Sequence, residues 1–105
     1  MNEESRLHPR QPIELPVVLI ATSYLATRVS DAKSLDISEG GISLFTRQSL
    51  TDGQQVSVEF TQPHISQLIH LRAVVKHRQE DRYGMQFLST TPEQAHYIRL
   101  MVGQA

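Results

Sequence analysis

Ile69, Leu71, Ala73 and Val75 stand at every second position and alternate with His70, Arg72, Val74 and Lys76. A period of two scatters side chains around a helix but gathers them on one face of a strand. This stretch therefore reads as a half-buried strand, the clearest in the chain. Val56, Val58 and Phe60 repeat the pattern around Ser57 and Glu59, and Tyr83, Met85 and Phe87 repeat it again. Ile13, Leu15, Val17 and Leu19 alternate with Glu14, Pro16, Val18 and Ile20, with Pro16 marking an edge or a bulge. Arg28 to Leu35 is a weaker strand that ends at Asp36, and Ile42 to Thr46 is a short one that restarts after Gly40-Gly41. Turn-forming residues separate the runs at Thr51-Asp52-Gly53, Pro63 to Gln67 and Gln79-Glu80-Asp81.

After Phe87 the period changes. Thr91-Pro92-Glu93-Gln94 carries the marks of a helix start: a capping hydroxyl, a proline at the first helical position and a glutamine able to close a capping box. Ala95, Ile98 and Met101 or Val102 form one apolar face, and Gly103 is the expected stop. Six short strands at even spacing suggest a sandwich or a barrel, and a small chain gains by closing its sheet edges. The expected fold is all-β: a six-stranded antiparallel β-barrel with a short C-terminal α-helix and a flexible N-terminal arm. Residues 1–12, polar and containing Pro9 and Pro12, form the arm, and residues 13–105 form a single domain.

Bulk properties exclude several functions. With 10 basic and 11 acidic residues the formal net charge is −1, unlike a strongly basic nucleic-acid binder. No cysteine is present, which rules out disulfides, zinc–thiolate sites and a catalytic thiol. The five histidines form no i,i+4 pair, so neither a metal site nor a cofactor is expected. No apolar run approaches the roughly 18 residues of a membrane span, and the polar N-terminus is unlike a secretory signal. Membrane insertion is not expected, and the cytoplasm is the expected compartment. A nucleophile elbow of the G-x-S-x-G type is missing, so Ser38 with Asp36 and a histidine makes no enzyme.

Two motifs remain. Arg6-Leu7-His8-Pro9-Arg10 is R-x-x-x-R, and Asp36-Ile37-Ser38-Glu39-Gly40-Gly41 is D-x-S-x-x-G. Pro9 disfavours helix at His8, so an extended arm spreads the two arginines over roughly 13 Å and a turn would bring them together. Arginine forks suit phosphate oxygens and the O6/N7 edge of guanine. Taken alone, the pair reads as two solvated arginines on a polar tail. Asp36 and Ser38, two residues apart in extended chain, offer acceptors to the donors of a guanine Watson–Crick edge. Gly40 and Gly41 permit positive φ and a close approach to a ligand, and their amides could form an anion-binding concavity. Alone, this reads as a plain turn, since Asp, Ser and Gly are the residues that turns prefer.

Taken together, the two motifs in this order resemble the signature of the PilZ family, and the six strands and trailing helix resemble its barrel along nearly the whole chain. Gly84-Met85-Gln86-Phe87 is similar to the family's usual last strand. The resemblance implies a bacterial receptor for cyclic di-GMP with no catalytic activity. By that analogy Arg6 and Arg10 contact guanine edges and phosphate, Asp36 and Ser38 hold guanine, and Gly40 and Gly41 let the ligand sit close. The arm would order on binding and signal to a downstream protein partner. Accessory roles are expected for Ser5, small enough to leave room for a stacked pair of ligands, for His8 in the arm, and for Lys76 and Arg78, which flank His77 at a strand end. Two other readings stay open: a PilZ-like domain that works only through protein contacts, and a small barrel that binds single-stranded nucleic acid.

Overall fold

A computed structural model describes residues 11–103. The elements are β1 (Gln11–Pro12), β2 (Pro16–Thr22), β3 (Thr27–Ile37), β4 (Gly41–Phe45), β5 (Gln55–Gln62), β6 (Gln67–Gln79), β7 (Arg82–Phe87) and α1 (Pro92–Gly103). Every strand pairing is antiparallel. The order β3-β2-β5-β6-β7-β4 closes on itself through β3–β4, giving the expected six-stranded barrel. A seventh strand, β1, lies against the last residues of β3, with Gln11 opposite Ile37 and Pro12 opposite Asp36. Gln11 and Pro12, grouped with the arm on sequence grounds, are therefore part of the sheet. Residues 1–10 lie outside the described residues.

The period-two runs face inward as read. Leu19, Val58, Ile69, Leu71, Ala73, Val75 and Met85 are all buried, while their neighbours on each strand point out. Pro16 opens β2, where its missing amide costs no ladder bond. Two ends must be covered. At one, the Tyr83 hydroxyl accepts from the Leu50 amide at 3.1 Å and donates to the Gln48 carbonyl at 3.2 Å, holding the β4–β5 loop across the opening with Leu50 buried beneath it. At the other, α1 buries Ile98 and Met101. Its capping box forms as expected, with the Gln94 amide donating to Thr91 Oγ1 and the Thr91 amide to Gln94 Oε1, both at 3.1 Å.

Two single-residue bulges break the alternation. In β3, Ser34 pairs with Leu44 and Asp36 with Ser43, so Leu35 is the extra residue. In β6, Val75 pairs with Met85 and His77 with Gly84, so Lys76 is the extra residue. Each inserted residue reverses the phase of the residues after it on its strand.

The root of the N-terminal segment is held by Ser34, which is fully buried. Its hydroxyl donates to the Ile13 carbonyl at 2.5 Å and accepts from the Leu15 amide at 2.8 Å, while its own amide donates to the Leu15 carbonyl at 2.9 Å. Residues 13–15, which join β1 to β2, are thus pinned to β3 by one side chain. Ser34→Ala removes both side-chain bonds and leaves two backbone groups short of a partner. It is expected to destabilise the domain by about 1–3 kcal/mol, read as a lower urea midpoint with an unchanged m-value.

Candidate functional site

The tightest local structure around the second motif is its turn. Ser38 is buried, and its Oγ accepts from the amides of Gly40 at 3.1 Å and Gly41 at 3.2 Å. The Ser38 amide donates to the Gly41 carbonyl, and the Gly40 carbonyl accepts from the Phe87 amide, both at 2.9 Å. This serine-closed turn joins β3 to β4 and fixes them to β7. It corrects two expectations. Positive φ occurs at Gly53, Ser66 and Glu80 and not at Gly40 or Gly41. The two glycine amides are taken by Ser38 rather than lining an anion concavity. The Ser38 oxygen likewise faces its own turn, because the chain leaves the extended form after Ile37.

A tight turn with known ends fixes which residues lie opposite one another. Asp36 pairs with Ser43, Ser43 with Gly84, and Gly84 with His77, while Pro12 pairs with Asp36 from the other side. These five residues form one transverse row across five strands on the outer face of the barrel. An open depression of about 200 Å³ lies along this row, lined by Leu35, Asp36, Ser43, His77, Gln79, Arg82, Tyr83 and Gly84. Asp36 and Ser43 are half-buried there, and His77, Gln79 and Arg82 are exposed.

The charged and aromatic walls of the depression both depend on the bulges. By simple alternation from the buried Ser34, Asp36 would point inward, and from Val75 so would His77. Leu35 and Lys76 turn them out. The same shift explains the position of Arg78, which alternation would have placed outward with Arg72 and Lys76. Arg78 pairs instead with the inward Tyr83, its guanidinium lying 5.2 Å from that ring's centroid. It donates from Nε to the Glu80 carbonyl at 2.8 Å and from Nη1 to Ser49 Oγ at 3.3 Å. Arg78 therefore caps the barrel end and does not line the depression. Lys76 is the exposed bulge residue and does not line it either. Arg6, Arg10, Ser5 and His8 lie outside the described residues.

Sequence reasoning missed Ser43 and Arg82, and took His77 only as one of a basic cluster with Lys76 and Arg78. Ser43 could have been found by counting back through the turn from Asp36. His77 opposite Gly84 follows in the same way from the Glu80-Asp81 turn, and Arg82 is then the next outward residue on β7. At the rim, Arg99 of α1 donates to Glu39 at 2.9 Å, tying the helix to the turn. Among the described residues no cluster of histidine and carboxylate could hold a metal, and no helix is long and apolar enough to cross a membrane. Phe60, Tyr83 and Phe87 are buried in the core, so they supply no exposed platform for a nucleic-acid strand.

A model of the PilZ domain matches residues 4–104. The chain belongs to the PilZ domain family. No curated protein sequence matches it. Among solved structures, the PilZ domain of CeSA from a cellulose-synthesizing bacterium superposes with a TM-score of 0.68 at 18% identity, covering 91% of this chain and 97% of that one. The Bacillus subtilis inhibitor of motility MotI/DgrA gives a TM-score of 0.77 at 17% identity over 99% of this chain, which spans 51% of the Bacillus protein. The PilZ domain of Escherichia coli YcgR, solved with c-di-GMP, gives 0.70 at 14% identity over 94% and 89% of the two chains. At these identities the likeness is one of fold. In this PilZ domain the serine of D-x-S-x-x-G is the clasp of the turn. Ser38→Ala is expected to speed hydrogen exchange at the Gly40 and Gly41 amides by about fivefold to tenfold, since each loses a bond worth roughly 1–1.5 kcal/mol, while core amides of β6 change little.

Proposed function

We propose that this PilZ domain is a receptor for cyclic di-GMP, binding it on the depression between Asp36 and His77. The observation that carries the reading is the pairing of Pro12 with Asp36. Arg10 is two residues before Pro12, so consecutive Cα spacings of 3.8 Å keep it within about 8 Å of a residue that itself sits opposite Asp36. The motif that would supply guanidinium groups is thus tethered at the motif that supplies a carboxylate. Neither half needs a long search to meet the other.

The roles divide by chemistry. The Asp36 carboxylate, half-buried on the row, is an acceptor for the N1–H and N2–H₂ donors of guanine. Arg6 and Arg10 suit the phosphates and the O6/N7 edge. Arg82 adds a cation to the lining of the depression. Ser38, Gly40 and Gly41 act indirectly by holding the turn that sets the β3–β4 register. No bond is made or broken, and the domain acts by binding.

Signalling follows from the ordering of residues 1–10 over the ligand, which presents a changed surface to a downstream protein partner. Ordering costs about 1–2 kcal/mol per residue, offset by charge-assisted contacts. Calorimetric titration with cyclic di-GMP should show saturable binding. Arg10→Ala and Asp36→Ala should each weaken it by roughly 1.5–3 kcal/mol, about tenfold to a hundredfold. Wild-type affinity in Arg10→Ala rules out the tethered-arginine mechanism, and no binding by the unaltered chain rules out the receptor reading, leaving a domain that works through protein contacts alone.

A further inference from the structure

We propose that the first half of β3 pairs, edge to edge, with the first half of β3 in a second copy of this chain, joining two barrels across a two-fold axis. β3 runs from Thr27 to Ile37, but β4 accompanies it only from Lys33 onward. Over residues 27–32, β3 pairs with β2 alone among the described residues. The alternation of the ladder decides which backbone groups are left over. The Ser34 amide donates to the Leu15 carbonyl, on the β2 side. Ala32, Ser30 and Arg28 are in phase with Ser34 and also face β2, so Thr27, Val29 and Asp31 turn their amides and carbonyls the other way. Pro16 agrees with this phase, because it stands opposite Lys33, where β2 needs no amide. The barrel thus closes along the second half of β3 and leaves an open edge along the first.

An open edge is a template for another strand, and the residues on this one suit a copy of themselves. A two-fold antiparallel pairing centred on Arg28 would oppose two guanidiniums, and one centred on Ser30 would set Val29 against Asp31. Centred on Val29, the pairing sets Val29 against Val29 of the second copy, Arg28 against Ser30 and Thr27 against Asp31. This register also engages all three outward-facing residues of each edge, for about six main-chain hydrogen bonds. Val29 is 66% exposed and pairs on β2 with the half-buried Ile20, so the seam joins these two and their counterparts in one apolar row. The hairpin apex follows the same line. Ser23 Oγ accepts from the amides of Leu25 at 3.2 Å and Ala26 at 3.3 Å, holding out Tyr24 and Leu25 at 95% and 80% exposure, where turns prefer small or polar residues. Continued past Thr27, the register brings this apex to residues 32 and 33 of the second copy. An open hollow of about 280 Å³ lies there, lined in part by Ala32, Lys33, Phe45 and Arg47. Tyr24, Leu25, Val29 and Phe45 are four of the seven large apolar side chains exposed on the described barrel, and one contact gathers them all. Asp36 lies near the other end of β3, so the seam leaves the depression open and stands independently of the receptor reading.

Sedimentation equilibrium of the full chain from about 5 to 500 µM tests the proposal, a range that spans the affinities of small, transient contacts. The mass should rise from one chain toward two. Val29→Lys and Val29→Glu, at an exposed position and checked by circular dichroism for an unchanged fold, should each associate at least about tenfold more weakly, because like charges meet at the axis. Val29→Pro deletes an amide that the β2–β3 ladder does not use, and it should weaken association in the same way. An equimolar mixture of the Val29→Lys and Val29→Glu chains should dimerise again, since opposite charges then face each other. That recovery requires a seam in which position 29 meets position 29. A single-chain mass for the unaltered protein across the whole range would overturn the proposal and leave the edge to a strand of another protein. Association of Val29→Lys as tight as that of the unaltered chain, or a mixture that stays monomeric, would overturn it equally.

Discussion

Two inserted residues, Leu35 in β3 and Lys76 in β6, determine what the outer face of this barrel presents. The closed sheet imposes a strict inward–outward alternation, because its interior is filled by side chains from every strand. Under that constraint Asp36 and His77 both fall on inward positions. A carboxylate and an imidazole inside an apolar barrel would lose their hydration with no compensating partner. Each bulge resolves the conflict by one residue, bending its strand and rotating the next side chain outward. Because the two bulged strands flank β4 and β7, the two rotated residues arrive at the ends of one row with Ser43 and Gly84 between them. The depression exists because of that coincidence of registers.

The remaining features hold this row still. Ser38 closes the turn that joins β3 to β4, and the Gly40 carbonyl ties that turn to β7 through Phe87. Ser34 clamps residues 13–15 to the opposite edge of β3 and thereby sets β1 beside Asp36. Arg99 reaches from α1 to Glu39, so the helix that covers one barrel end also contacts the turn. Ser34 and Ser38, which look like solvent-exposed residues in the sequence, are buried and commit their hydroxyls to backbone groups. In the proposed receptor a preformed face lowers the entropy cost of binding.

Much of the fold is legible in the sequence. The period-two runs locate six strands, and Thr91 to Gln94 locates the helix start, because both signals are local. Arg28 to Leu35 reads weakly because β3 is mostly exposed along its first half and has little apolar pattern to show. β1 escapes such a reading because two residues carry no period, and its pairing depends on the buried Ser34, far along the chain. The bulges are invisible for a different reason: a register slip is a property of two strands, and neither strand alone records it. That is why Arg78 reads as an outward residue and lies over Tyr83 instead. Of the site, Asp36 is legible from its motif and lines the depression. Ser38 and the glycines are legible too but act within their own turn, and His77 and Arg82 emerge only once strand partners are known.

The central claim is that ligand is held on the row from Asp36 to His77. Amide chemical-shift mapping of the isotopically labelled chain during titration with cyclic di-GMP tests it most directly. The account expects the largest shifts at Asp36, Ser43, Arg82, Gly84 and His77, with the far loop around Tyr24 and Leu25 unmoved. Shifts concentrated at that far loop, or spread over α1 with the row silent, would contradict it.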